Sequence, residues 1–240
     1  MLIVVDGGSS PYGQGAGEHG WGSQVYRDSQ RDEGKPGSGS HIVINQARPQ
    51  RRLDHIVRHI APGIVHDAGM YGSKVVRILT AGLNEAARYN GKESRFIEPT
   101  EFLSLLRKYD SIGRAAGSKA VGISTIYIGP QVIDETKTLP SRKYNVSIRD
   151  DDVEMYADIV EHHATEVGSP FVDVRELFAP YIGTGTLHLV QAADGIHYTR
   201  EMHDQVHDRV IAELSGLGVN FLNAMNSSGG QLQPTQLISQ

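Results

Sequence analysis

The chain has 240 residues, a formal net charge of −5, 39% hydrophobic residues and no cysteine, values that suit one soluble globular α/β domain. The missing cysteine excludes disulfide stapling, thiolate metal sites and a cysteine nucleophile. The acidic balance argues against a broad nucleic-acid face, and the cluster Arg48, Arg51, Arg52 is too small to reverse it.

In chain order, Leu2-Ile-Val-Val5 is a continuous apolar run stopped by Asp6-Gly7-Gly8, the pattern of a buried parallel strand. Residues 28–40, rich in charge, glycine and serine, read as a loop. His41–Asn45 is the second strand, followed by a helical face of Leu53, Ile56, Val57 and Ile60. Val75–Thr80 is the third strand, Phe102, Leu105 and Leu106 the next helix, and Ala120–Ile128 the fourth strand. Val153, Tyr156, Ile159 and Val160 share a helix face, and Phe171–Val174 reads as the fifth strand. A last helix contains Met202, Val206 and Val210, and residues 223–240 read as a flexible tail behind a catalytic domain of 1–222. This alternation predicts a parallel sheet covered by helices on both faces, with its ligand site at the carboxyl ends of the strands.

Ser9 and Ser10, in Gly7-Gly8-Ser9-Ser10-Pro11-Tyr12-Gly13, fall at such an end. A serine there is a candidate nucleophile, provided a base, an orienting acid and oxyanion donors are in reach. A phosphate-binding turn is the competing reading, but the stretch lacks both the P-loop lysine and the G-x-G-x-x-G spacing. Near the other end, Asp194-Gly195-Ile196-His197 places a carboxylate three residues before an imidazole, close enough to hold Nδ1 and leave Nε2 for a hydroxyl. Thr199 is positioned to cap the following helix.

These blocks resemble the SGNH hydrolases, or GDSL-like esterases, over nearly the whole chain. Gly7–Gly13 is similar to the first block with Ser9 as nucleophile, Gly82-Leu83-Asn84 to the third, and Asp194–His197 to the last. Two positions depart from the family: its aspartate before the nucleophile is Gly8 here, and its second-block glycine is Gln50. The resemblance implies a three-layer α/β/α fold with a mostly parallel, doubly wound, flavodoxin-like five-stranded sheet. It also implies serine-dependent hydrolysis of a carboxylic ester without metal or cofactor, with catalytic Ser9, Asp194 and His197, and an oxyanion hole of the Ser9 and Gln50 N–H groups and the Asn84 amide. Gln50 is expected in an ordinary β or α conformation because Pro49 presets the turn before it.

Three readings stay open beside this one. Asn84 also suits the cap of a helix beginning at Glu85. His55/His59 and His203/His207 have the i, i+4 spacing of helical zinc ligands, the latter within a near H-E-x-x-H pattern. Tyr12 and Trp21 suit either a pocket wall or packing. The expected partner is a small-molecule ester, a short acyl or acetyl group on a sugar or secondary metabolite, with acyl transfer by the same triad or a non-catalytic binding module as alternatives. No signal-peptide pattern or membrane-length apolar stretch is seen, so the cytoplasm is the expected compartment, with secretion by a lost leader left open.

Overall fold

The computed structural model describes residues 1–14, 16, 19–31, 41–63, 74–89, 92–117, 122–137, 146–219 and 221. Seven strands occur among them: β1 (Leu2–Asp6), β2 (Ile42–Asn45), β3 (Val75–Thr80), β4 (Arg88–Tyr89), β5 (Ile123–Ile128), β6 (Val146–Ser147) and β7 (Phe171–Val172). Five form one parallel sheet in the order β2-β1-β3-β5-β7, the doubly wound order of flavodoxin-like folds, and β4 and β6 form a small antiparallel ribbon.

The strands read as apolar runs because both faces are covered. Ile3 and Val5 of β1, Val76 and Ile78 of β3, and Ile126 and Ile128 of β5 pack with Trp21 and Val25 of α2 (Trp21–Arg31) and with Met202, Val206 and Val210 of a long C-terminal helix, Arg200–Gly216. On the other face Leu79 and Tyr127 meet Leu53, Ile56 and Val57 of a helix that runs from Leu53 to His55 and continues as a π-turn over Ile56–Ile60. The same cluster takes in Phe102, Leu106 and Tyr109 of the helix Pro99–Gly117 and Val153, Tyr156 and Val160 of the helix Asp150–Glu166. Three further α-helices among the described residues are α1 (Ser9–Tyr12), Leu83–Ala86 and Val174–Phe178. In chain order the α-helices named here, all among the described residues, are α1, α2, α3 (from Leu53), α4 (from Leu83), α5 (from Pro99), α6 (from Asp150), α7 (from Val174) and α8 (from Arg200).

Several boundaries differ from the sequence reading for local reasons. Residues 28–31 are helical, not loop: α2 runs through Arg31, where Asp28 bonds His207 of α8 at 2.8 Å. Residues 32–40 and the tail 223–240 lie outside the described residues. The fourth sheet strand begins at Ile123, and residues 120 and 121 are also outside them. β7 stops at Val172, because the Asp173 carboxylate accepts the N–H groups of Arg175 at 2.8 Å and Glu176 at 3.4 Å and so starts α7. Thr199 occupies the cap position of α8, but its hydroxyl donates to the Leu189 carbonyl at 2.6 Å. No helix among the described residues is long and apolar enough to cross a membrane.

Candidate active site

Ser9 opens α1 directly after β1, and the Asp194–His197 turn precedes α8, so both meet at the carboxyl edge of the sheet. His197 Nε2 lies 3.0 Å from Ser9 Oγ, and His197 Nδ1 lies 2.5 Å from Asp194 Oδ2. The other Asp194 oxygen accepts the N–H groups of Ile196 at 3.0 Å and His197 at 2.9 Å, which closes the turn. Gly195 stands within it at φ 71°, and a Cβ there would lie 2.5 Å from the Asp134 carbonyl, so only glycine fits. Burial alone would raise the Asp194 carboxyl, but hydrogen bonds from the His197 ring and from the two N–H groups outweigh it and hold the carboxyl well below its ordinary range. Asp194 is therefore ionised at neutral pH. With Nδ1–H donating to the Asp194 carboxylate, Nε2 is free to accept from the serine hydroxyl.

Asn84 lies in the first turn of α4, and its Nδ2 donates to the Arg51 carbonyl at 2.8 Å. It is not the helix cap: α4 starts at Leu83, Gly82 holds the cap position, and the Gly82 N–H is taken by Glu85 Oε2 at 2.8 Å. The other Glu85 oxygen accepts the Leu53 N–H at 2.6 Å, so one buried carboxylate ties the starts of α3 and α4 together. A Cβ at Gly8 would lie 2.5 Å from Asn84 Nδ2. The absence of a side chain at residue 8 leaves the space that the Asn84 amide occupies.

Gln50 departs from expectation. Its φ is 61°, and it is the one non-glycine residue with positive φ among the described residues. Arg51 N–H donates to the Arg48 carbonyl at 3.2 Å, which makes Arg48–Arg51 a β-turn with Pro49 second and Gln50 third. Proline at the second position suits both common turn types, and the type II form requires positive φ at the third, the place usually given to glycine. Gln50 thus holds a backbone conformation that glycine adopts without strain. Arg48 N–H donates to the Gly7 carbonyl at 3.1 Å, which fastens this turn to the end of β1.

A cavity of about 450 Å³ adjoins α1 and this turn, lined by Tyr12, Ser23, Asn45, Ala47, Arg48 and Pro49. Tyr12 thus lines a pocket, whereas Trp21 is fully buried in the core. The helical histidines do not converge. His203 Nδ1 accepts the Trp21 N–H at 3.3 Å, His207 Nε2 pairs with Asp28, and His55 and His59 lie against each other. No group of three metal-ligating side chains occurs among the described residues. Burial, with nearby His197 and His19 and against the pull of Asp204, pushes the His203 imidazole down to about 4.

One residue beside these was not singled out from the sequence. Gln131, fully buried in the loop after β5, donates from Nε2 to the Ile196 carbonyl at 2.7 Å, and its Oε1 accepts from the Tyr198 hydroxyl at 3.2 Å and Ser10 Oγ at 3.4 Å. Nothing local in Gly129-Pro-Gln-Val132 marks it, since its partners are at least 65 residues away in the loop before α8 and 121 away at Ser10.

No protein-family model matches the chain, and no curated protein sequence is recognisably similar. Solved structures are. The lipase/acylhydrolase from Enterococcus faecalis superposes with a TM-score of 0.60 at 18% identity, covering 90% of this chain and 96% of its own. Axe2, an acetylxylan esterase from Geobacillus stearothermophilus, gives 0.62 at 16% identity over 89% and 93% of the two chains. The acetyl xylan esterase AlAXEase gives 0.64 at 14% over 88% and 98%. At these identities the likeness concerns the fold, and the fold of this chain is that of the SGNH hydrolases.

Proposed function

We propose that the protein hydrolyses a carboxylic ester through an acyl-enzyme on Ser9. The observation that carries this reading is the chain Asp194 Oδ2 to His197 Nδ1 at 2.5 Å and His197 Nε2 to Ser9 Oγ at 3.0 Å, from three residues on two separate segments. Ser9 Oγ attacks the ester carbonyl while His197 Nε2 takes its proton, and Asp194 stabilises the imidazolium that forms. The tetrahedral oxyanion is held by the Ser9 and Gln50 N–H groups and by the Asn84 amide, which carries two donor hydrogens and spends one on the Arg51 carbonyl. Collapse breaks the bond to the leaving alcohol, which receives the proton from Nε2. Water then repeats the sequence to release the acid.

The cavity beside α1 favours a short acyl ester of a hydroxyl-rich alcohol, such as an acetylated sugar. Its wall offers a phenol, a hydroxyl, an amide and a guanidinium, whereas a lipid chain needs a predominantly apolar surface. The acetylxylan esterases among the similar folds point the same way. A fluorophosphonate probe followed by peptide mapping tests the reading: covalent label on Ser9, together with acetate release from acetylated saccharides, supports it. A protein that is neither labelled nor active on any short-chain ester is not a serine hydrolase.

A further inference from the structure

Ser9 and His197 are 188 residues apart in sequence, so their 3.0 Å separation depends on what joins the nucleophile turn to the loop before α8. Asp194 orients the imidazole from its own turn and its side chain is half exposed, so it does not join the two segments. The loop is moored to the segment after β5 by the Asp134 N–H to the Gly195 carbonyl at 2.9 Å and by Gln191 Nε2 to the Val132 carbonyl at 2.9 Å. Neither mooring touches the nucleophile side. The Gln131 amide does: it holds Ile196 and Tyr198, the two neighbours of His197, and Ser10, the neighbour of Ser9.

We propose that Gln131 is a positioning residue that sets the distance and angle between His197 and Ser9, an inference that rests on the hydrolase reading. The amide is matched to the task, because Nε2–H faces a carbonyl while Oε1 faces two hydroxyls, and no other uncharged side chain of this length offers a donor and an acceptor on one plane. Burial makes the bonds hard to replace by water. The second serine of the pair also gains a role: Ser10 anchors the nucleophile turn to the clamp, while Ser9 faces the imidazole.

The test compares the parent protein with Gln131→Met, which keeps length and volume and removes both polar ends. Rates are normalised to sites titrated with a fluorophosphonate, so loss of folded protein does not count as loss of rate. Misplacing a reacting group by a fraction of an ångström to 1 Å costs up to a hundredfold, so kcat and the labelling rate constant are expected to fall together by about ten- to a hundredfold while KM stays within about twofold. A kcat per titrated site equal to the parent's overturns the positioning role. Should Gln131→Met fail to fold, the double variant Ser10→Ala with Tyr198→Phe removes both hydroxyls that bond Oε1 and answers the same question: a fall in kcat at constant KM supports the clamp, and an unchanged kcat overturns it. A parent that neither labels nor hydrolyses esters removes the hydrolase reading itself, a different failure from an active parent matched by its variant.

Discussion

Of the three close aspartate–histidine pairs among the described residues, two make the sharpest contrast: Asp194 with His197 at 2.5 Å, and Asp110 with His163 at 2.7 Å, the third being Asp28 with His207 at 2.8 Å. Both carboxyls are held below their ordinary range. For Asp110 burial pulls upward, and the hydrogen bonds from His163 and Tyr127 with the Arg77 charge outweigh it. What differs is the second imidazole nitrogen and the company around the pair. His197 Nε2 meets a serine hydroxyl at 3.0 Å. His163 Nδ1 has no hydrogen bond among the described residues, with the nearest carboxylate oxygen, from Glu166, at 3.9 Å. Its Asp110 also takes Arg77 Nη2 at 3.2 Å and the Tyr127 hydroxyl at 2.7 Å, so that charge is spent on joining α5 and α6 to β3 and β5. Gly113 is part of the same device, since a Cβ there would lie 2.6 Å from the Arg77 guanidinium. An Asp–His pair is therefore a structural tie by default, and a hydroxyl in reach of the free nitrogen is what makes it a candidate for catalysis.

The contrast is broken most directly by removing each histidine. On the proposed mechanism Ser9→Ala and His197→Ala each lower kcat by roughly four orders of magnitude or more, because triad members act as a unit. His163→Gln leaves kcat per titrated site within about twofold. Equal losses in steady-state assays of a short-chain ester at His163 and His197 would erase the distinction.

Stability should show the reverse order. Asp110→Asn leaves the buried Arg77 charge without its partner and is expected to cost about 3–5 kcal/mol in urea unfolding. Asp194→Asn, at a half-exposed pair, is expected to cost no more than about 1 kcal/mol. A smaller loss at Asp110 than at Asp194 means the buried pair is not a structural tie.

Two substitutions sharpen the catalytic side. On the proposed mechanism Asn84→Ala removes a donor to charge that appears only in the transition state, so kcat should fall by on the order of a hundredfold with little change in KM. Gly8→Asp restores the residue of the resembled family yet places a Cβ 2.5 Å from Asn84 Nδ2, so it should lower kcat as well. A Gly8→Asp variant at least as active as the parent shows that the Asn84 amide is not needed where it stands.

The last effect, on the pH profile alone, concerns the link between the two regions. Asp6 ends β1 and accepts the Tyr109 hydroxyl at 3.0 Å, and Tyr109 lies under the Arg77 guanidinium. Burial raises the Asp6 carboxyl from 3.8 to about 6, against the lowering effects of the Tyr109 bond and the Arg77 and Arg51 charges. Between these values the folded chain holds a proton that the unfolded chain has lost, so stability falls as pH rises from about 4 to about 6 and the contribution is constant above that. Asp6→Asn should flatten this part of the pH profile measured by denaturant unfolding. An unchanged slope assigns it to other groups.

What the sequence determined by itself was local or periodic. Buried parallel strands must be apolar on both faces, so β1 and β3 were readable nearly to the residue. The Asp194–His197 contact closes within one turn, and three-residue spacing alone brings the carboxylate to Nδ1. The place of Ser9 just past the end of β1 was readable because the apolar run stops at Asp6-Gly7-Gly8, whereas the choice of Ser9 over Ser10 came from the resemblance and not from local chemistry. Tertiary structure decided the rest. Gln50 adopts positive φ because the Arg48–Arg51 turn must reach both the Gly7 and the Asn84 sides, a demand that outweighs a glutamine's preference and that Pro49 alone does not reveal. Asn84 lies against Gly8 and does not cap a helix, because Gly8 leaves room for its amide and Glu85 takes over the cap bond. Gln131 and the buried Arg77–Asp110–His163 network were invisible because their hydrogen bonds join residues tens of positions apart. A polar side chain carries no sign in its sequence neighbourhood of whether folding will bury it against a partner or leave it in water.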